Sequence, residues 1–253
     1  MLSRVMITLK KSDTGFTHNI SSLFQGALME VVPETYGNLL HEDGIKPYSQ
    51  AIFSEKEHLI WTVNTLDEDS SRYLLEPLLS KEFDHIYLKQ KQLKLEILKK
   101  EKLQLKYETL LKNTFFSKCG RYVTVKFKTP TAFKSEGRYQ FYPTVWHIFR
   151  SLTSKFDRYS MESEIGFKEN LDDIDKYVNV VRYSLHSTYF HMEGIRIPAF
   201  LGTVTLKIDG PQQMVNLIHL LLRFGEFSGV GIKCAMGMGA IELLEKKEQK
   251  KDG

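Results

Sequence analysis

Two short stretches carry residue types whose spacing suits chemistry. Near the C-terminus, Gly229-Val230-Gly231-Ile232-Lys233-Cys234-Ala235-Met236-Gly237-Met238-Gly239 sets two Gly-apolar-Gly units around five residues that include a lysine. Glycine permits positive φ and close backbone approach. The run is therefore expected to turn its N–H groups outward together, a concavity suited to a phosphate, with the Lys233 ammonium beside it. The plain alternative is a glycine-rich turn before an edge strand. Earlier in the chain, His41 stands five residues before Lys46 in a polar stretch that also holds Gly37 and Gly44. An imidazole titrates near neutral pH and can move protons, and an ammonium beside it can act on charge developing at a phosphate. On residue types alone, a surface histidine and a solvated lysine are the simpler account of that pair.

The elements that must hold these stretches exclude one reading at once. A dinucleotide-binding fingerprint needs its glycines after a strand and at the start of a helix. Here the order is reversed. Met214, Val215, Leu217, Ile218, Leu221 and Leu222 have helical spacing before the loop, and Ala240 to Leu244 reads as a short strand after it.

Upstream, Val5, Ile7 and Leu9 alternate as a strand, and Ile20 to Val32 reads as a helix with Asn19 or Ser21 as its cap. Tyr36 to Tyr48 reads as a loop, Gln50 to Thr65 as a strand pair, and Ser70 to Leu79 as a second helix. Lys89 to Lys106 alternates on both sides of a charged tip, Lys99 to Lys102, which predicts a hairpin. Thr109 to Gly120 reads as a crossing segment. Beyond it come a strand at Tyr122 to Lys128, a helix from Pro143 to about Tyr159, strands at Val178 to Thr188 and Ala199 to Ile208, and then the last helix and the glycine loop. The order β-α-β-β-α-β occurs twice, so the expected architecture is α+β, two tandem ferredoxin-like domains spanning residues 1–115 and 116–253.

The pattern Gly-h-Gly, five residues with a basic one, Gly-h-Gly after a helix near the C-terminus resembles the signature loop of the RAMP superfamily of CRISPR-associated RNA-binding proteins. Three more segments resemble one RAMP family, the endoribonuclease that cuts the long CRISPR precursor transcript at each repeat. They are Leu40-His41-Glu42-Asp43-Gly44-Ile45-Lys46-Pro47-Tyr48-Ser49, Phe127-Lys128-Thr129-Pro130-Thr131-Ala132-Phe133, and Ile197 to Leu206. The resemblance implies RRM-like domains side by side and a basic cleft for repeat RNA. It also implies cleavage without metal or cofactor, leaving a 2′,3′-cyclic phosphate and a 5′-hydroxyl.

Carried onto this chain, the resemblance makes His41 the proton-transfer group and Lys46 its partner at the phosphate. The family's tyrosine, further upstream on the first helix, is missing here; Tyr36 or Tyr48 can take its place. A rival reading in the same superfamily is a RAMP subunit that coats guide RNA without cutting the repeat. The resemblance also connects the chain with a type III interference complex.

Residues 253 in number, 42% apolar and 26% charged, with a net charge of +4, are compatible with an RNA partner without requiring one. RNA contacts are expected where cations neighbour rings. These are Gly229, Gly231, Lys233, Gly237 and Gly239 of the loop, then Lys126, Lys128, Lys134 and Arg138 among Phe127, Phe133 and Tyr139, and a stripe of Arg150, Lys155 and Arg158. Cys119 and Cys234 are in no metal spacing, so neither a disulfide scaffold nor a zinc site is expected. With no signal-peptide core at the start and no apolar run of spanning length, a cytoplasmic protein is expected.

Overall fold

A computed structural model describes residues 1–11, 20–42, 44–55, 57–160, 171–192 and 194–244. The cap candidate Asn19 lies outside these residues, as do residues 245–253. Ser21 is the first residue of its helix, one position inside the Ile20 N-cap.

The first half is a sheet in the order β2-β3-β1-β5-β4, built from β1 (Leu2–Lys10), β2 (Tyr48–Ser54), β3 (His58–Thr65), β4 (His85–Leu88) and β5 (Leu93–Leu105). α1 (Ser21–Val31) and α2 (Glu34–His41) connect β1 to β2. α3 (Glu68–Ser70), a π turn at Ser71–Leu75 and α4 (Glu76–Leu79) follow β3, confirming the second helix. Period-two alternation puts Val5, Ile7, Leu9, Trp61 and Val63 on the face covered by Phe24, Leu28, Leu74 and Leu78, all fully buried.

The second half repeats the connectivity after α5 (Tyr107–Thr114). Its sheet runs β11-β6-β10-β9, from β6 (Tyr122–Thr131), β9 (Val178–Met192), β10 (Ile195–Ile208) and β11 (Ile241–Leu244). The small β7 (Phe133–Ser135) and β8 (Arg138–Gln140) hairpin leads to α6 (Val145–Tyr159) and α7 (Leu171–Tyr177), and α8 (Gln212–Ser228) follows β10. In each half the first strand is central, between the third and the fourth of the β-α-β-β-α-β unit, as in a ferredoxin-like fold. Among the described residues no helix is long and apolar enough to cross a membrane.

Two expectations fail here. Residues 93–105 form one strand, not a hairpin: Ile97 pairs with Leu9 and Leu105 with Leu2 along the same neighbour, β1. A register shift between Thr8 and Leu9 leaves Leu98 unpaired, and this bulge turns the alternation over. Leu95 then faces the first core and Leu105 packs toward the second. Tyr36 to His41 is helix rather than loop. Glu34 occupies its first turn, and Tyr36 stacks on Tyr73 with ring centroids 4.6 Å apart, a distant contact that local sequence does not reveal. The crossing segment after β5 holds as read and begins within the helix α5.

Candidate functional site

His41 is the last residue of α2 and is exposed. It stands between Leu40 and Glu42, which both line a cleft of about 480 Å³ together with Tyr36, Lys46, Arg158 and Tyr159. The chain leaves the helix at Glu42, and Lys46 Nζ donates back to the Glu42 carbonyl, closing the turn that carries Gly44 and Ile45. From α6, the Tyr159 hydroxyl donates to the Ile45 carbonyl, so the turn is tied at its middle as well. Arg158 beside it is exposed and adds a second cation to the cleft.

The two tyrosine candidates separate clearly. Tyr48 opens β2, is buried in the first core, and has its hydroxyl pushed up to about 12 by burial, against a hydrogen bond with Gln25. Tyr36 lines the cleft. Burial first, then the Asp67 and Asp69 carboxylates, hold its hydroxyl far above the ordinary tyrosine range, although a hydrogen bond with Ser70 opposes them. Such a phenol stays protonated and can donate a hydrogen bond but cannot serve as a base. Tyr159 is pushed up to about 12, by burial first and then by Asp67. Sequence reasoning passed over Tyr159; its only signal was its place one residue after Arg158 at the end of a basic helix face.

The glycine loop differs from expectation. Its amides do not face outward together. Val230 N–H donates to Gly239 O (2.8 Å), Ile232 N–H to Ala132 O (2.9 Å), Gly239 N–H to Pro130 O (3.0 Å) and Gly231 N–H to Ser151 Oγ (2.8 Å). Met236 and Met238 donate to Lys233 O, and Gly237 to Cys234 O. The carbonyl side is gathered by Lys155, which is buried rather than part of a surface stripe. Its Nζ lies 3.2, 2.9 and 3.4 Å from the carbonyl oxygens of Ser228, Gly229 and Gly231.

A Cβ on Gly239 would fall 2.0 Å from Val230 O, and one on Gly237 would fall 2.2 Å from Ser21 Cβ. The loop therefore lies against the first half of the chain. Trp61 Nε1–H donates to Gln50 Oε1 (2.7 Å), and Gln50 Nε2 donates to Ala235 O (2.9 Å). Ser49 Oγ donates to Phe227 O (2.5 Å), and the Arg4 guanidinium lies 4.6 Å over the Phe227 ring. Lys233 is the loop's exposed cation, held at φ +56.

The predicted RNA contacts divide between two places. Lys134 and Arg150 line a cavity of about 200 Å³ with Gly231 and Ile232, and this cavity shares Ile45 with the cleft of Lys46. The two openings thus adjoin at Ile45, both bordered by α6. Arg138 is close by on β8, paired with Ser135 of the β7 strand. Lys126 and Lys128 belong elsewhere, on β6. Lys128 is engaged with Glu242 (3.4 Å) and lies 4.2 Å over the Phe53 ring, in a different opening between the two sheets. Among the described residues no group of three His, Cys, Asp or Glu side chains is placed to hold a metal ion.

Comparison with known proteins agrees with this architecture. The model of a family described as CRISPR-associated endoribonuclease Cas6 matches residues 125–241. A CRISPR-associated endoribonuclease Cas6 of Streptococcus thermophilus is 31% identical over 247 residues, covering 98% of this chain and 100% of that protein. One of Mycobacterium tuberculosis is 29% identical over 246 residues, covering 96% of this chain and 78% of the relative. Among solved structures, a Cas6 product complex superimposes with a TM-score of 0.79 at 22% identity, over 96% of this chain and 100% of the other, a likeness of fold.

Proposed function

The chain belongs to the Cas6 family of CRISPR-associated endoribonucleases, and on that premise we propose that it cuts CRISPR precursor transcripts within their repeats by metal-independent attack of a 2′-hydroxyl. The observation that carries this reading is a pair of adjoining openings. Lys46, Tyr36 and Arg158 line one beside His41, and Lys134 and the glycine loop line the other, with Ile45 common to both.

In the proposed reaction the 2′-oxygen loses its proton, bonds to the adjacent phosphorus and expels the 5′-oxygen, which gains a proton. The upstream fragment ends in a 2′,3′-cyclic phosphate and the downstream one begins with a 5′-hydroxyl. His41 is the group that exchanges protons with these oxygens, a role contributing about 10²–10⁴-fold. Lys46 neutralises charge gathering on the phosphorane. Tyr36, its hydroxyl held above the ordinary tyrosine range by burial, donates a hydrogen bond to a phosphate oxygen. Arg158 holds a neighbouring phosphate, and Lys134, Arg138 and Lys233 hold the strand further along. Lys126 and Lys128 are proposed to meet RNA only where it passes between the sheets.

Under this reading residues 1–115 form the domain with the chemistry and residues 116–253 the domain with the glycine loop. The setting is the cytoplasm, in the service of a type III interference complex. The test is incubation of the purified protein with a repeat-containing transcript in EDTA, followed by end-group analysis. Discrete cutting with a cyclic phosphate is expected. Tight binding without cutting would favour a guide-RNA-coating subunit instead, and a 3′-hydroxyl on the upstream fragment would overturn the mechanism.

A further inference from the structure

We infer that the cavity between α6, the β7–β8 hairpin and the glycine loop receives one unstacked nucleobase of the RNA, the base next to the cleaved phosphate. The inference rests on the nuclease reading above and adds to it a specificity site.

The cavity holds about 200 Å³, and its lining mixes apolar, cationic and hydroxyl side chains. Ile45, Phe133 and Ile232 supply apolar surface, Lys134, Arg150 and the carbonyl-bound Lys155 supply charge, and Ser151 and Ser154 supply hydroxyls; among the described residues no carboxylate lines it. Phe133 and His147 stack with centroids 5.3 Å apart and planes at 28°, and because Phe133 is buried and also stacks on Phe200, His147 is the half-exposed ring of the pair. His147 is held below the ordinary histidine range, first by burial and then by Arg150, so its ring is a neutral aromatic at pH 7. Arg150 is kept extended by the Trp146 ring, 4.6 Å beneath its guanidinium.

A bare phosphate does not suit such a site, because an anion on apolar surface loses hydration that Lys134 and Arg150 restore only in part, the third cation, Lys155, being already engaged by loop carbonyls. A planar group with an apolar face and polar edges does suit it, and this is how single-stranded RNA is read. The phosphates on either side of that base would then meet Lys134 and Arg150. The shared wall at Ile45 decides which base it is. A strand with one phosphate beside Lys46 brings the adjacent nucleotide to the mouth of this cavity.

The test is equilibrium binding of the protein to repeat RNAs made abasic at one nucleotide at a time, with the wild type and with Ser154→Phe, which fills the cavity from α6. One abasic position flanking the cut should weaken binding to the wild type by roughly 5- to 100-fold, the worth of one stacked base. Ser154→Phe should weaken binding to intact RNA comparably and lose little more on that one abasic RNA, since both changes remove the same contact. The inference is overturned if no flanking abasic position affects the wild type, or if Ser154→Phe binds intact RNA as the wild type does, or if the two losses multiply. The abasic scan on the wild type decides the matter even if Ser154→Phe fails to fold. Normal binding and cutting of every abasic RNA would overturn this inference alone, whereas no binding to any repeat RNA would overturn the nuclease reading with it.

Discussion

Residues 41–47 and residues 229–239 border adjoining openings beside α6, yet they are held in different ways. The glycine loop has its amides committed to its own carbonyls, to Pro130 and Ala132, and to Ser151, with Lys155 beneath it and Gly237 against Ser21. The turn after α2 is tied at Glu42 and Ile45, and at Pro47 through Leu66 N–H (2.8 Å) and Ser70 Oγ (3.3 Å), while His41 is exposed at its edge. The difference teaches that a glycine-rich signature can mark architecture rather than chemistry. Its glycines let backbone pass close to the backbone of Val230 and Ala132 and to the Ser21 side chain of the first half, while His41, the residue that can move protons, stands exposed at the end of α2.

That contrast can be broken at several points. The largest structural effect is expected from Gly239→Ala, whose Cβ would strike Val230 O at a positive φ. A loss of about 3 kcal/mol or more should lower Tm by roughly 6–12 °C, while saturated cleavage by the folded protein is unchanged. A cleavage defect without a Tm shift would place chemistry in the glycine loop after all. Tyr159→Phe should act less strongly and on the other side of the comparison. Losing the hydrogen bond to Ile45 O, worth about 1 kcal/mol, should slow saturated cleavage by about fivefold with little change in Tm, measured by single-turnover kinetics. Lys233→Ala is the mildest. As the exposed cation of an otherwise satisfied loop, it should leave the saturated rate intact and flatten the slope of log affinity against log salt by about 0.7, one phosphate contact on a single strand.

Much of the fold was legible because alternation and helical spacing survive in this chain. The strands β1, β2, β3, β6, β9 and β10 and the helices α1, α6 and α8 follow directly from where Val, Ile, Leu and Phe recur. The misreadings share a cause. α2 buries only Leu40 and contains Gly37, so its stability comes from Tyr73 across the fold and not from its own pattern. In β5 the charged run Lys99–Lys102 mimics a hairpin tip, whereas a bulge turns the strand over within a continuous sheet. The site was legible in part. His41, Lys46 and Tyr36 were visible as types, and the structure joins Lys46 and Tyr36 in one cleft, with Leu40 and Glu42 on either side of His41. The buried role of Lys155 and the reach of Tyr159 to Ile45 depend on tertiary geometry, for which no spacing rule exists.

The most direct measurement is the single-turnover cleavage rate of His41→Ala at saturating protein, taken together with its Tm and RNA affinity. An exposed residue at a helix end buries little, so fold and affinity should stay near those of the wild type. The rate should fall by about two to four orders of magnitude, and adding Lys46→Ala should cost less than its separate effect because both act on one phosphate. A His41→Ala protein that cuts at the wild-type rate would contradict the account.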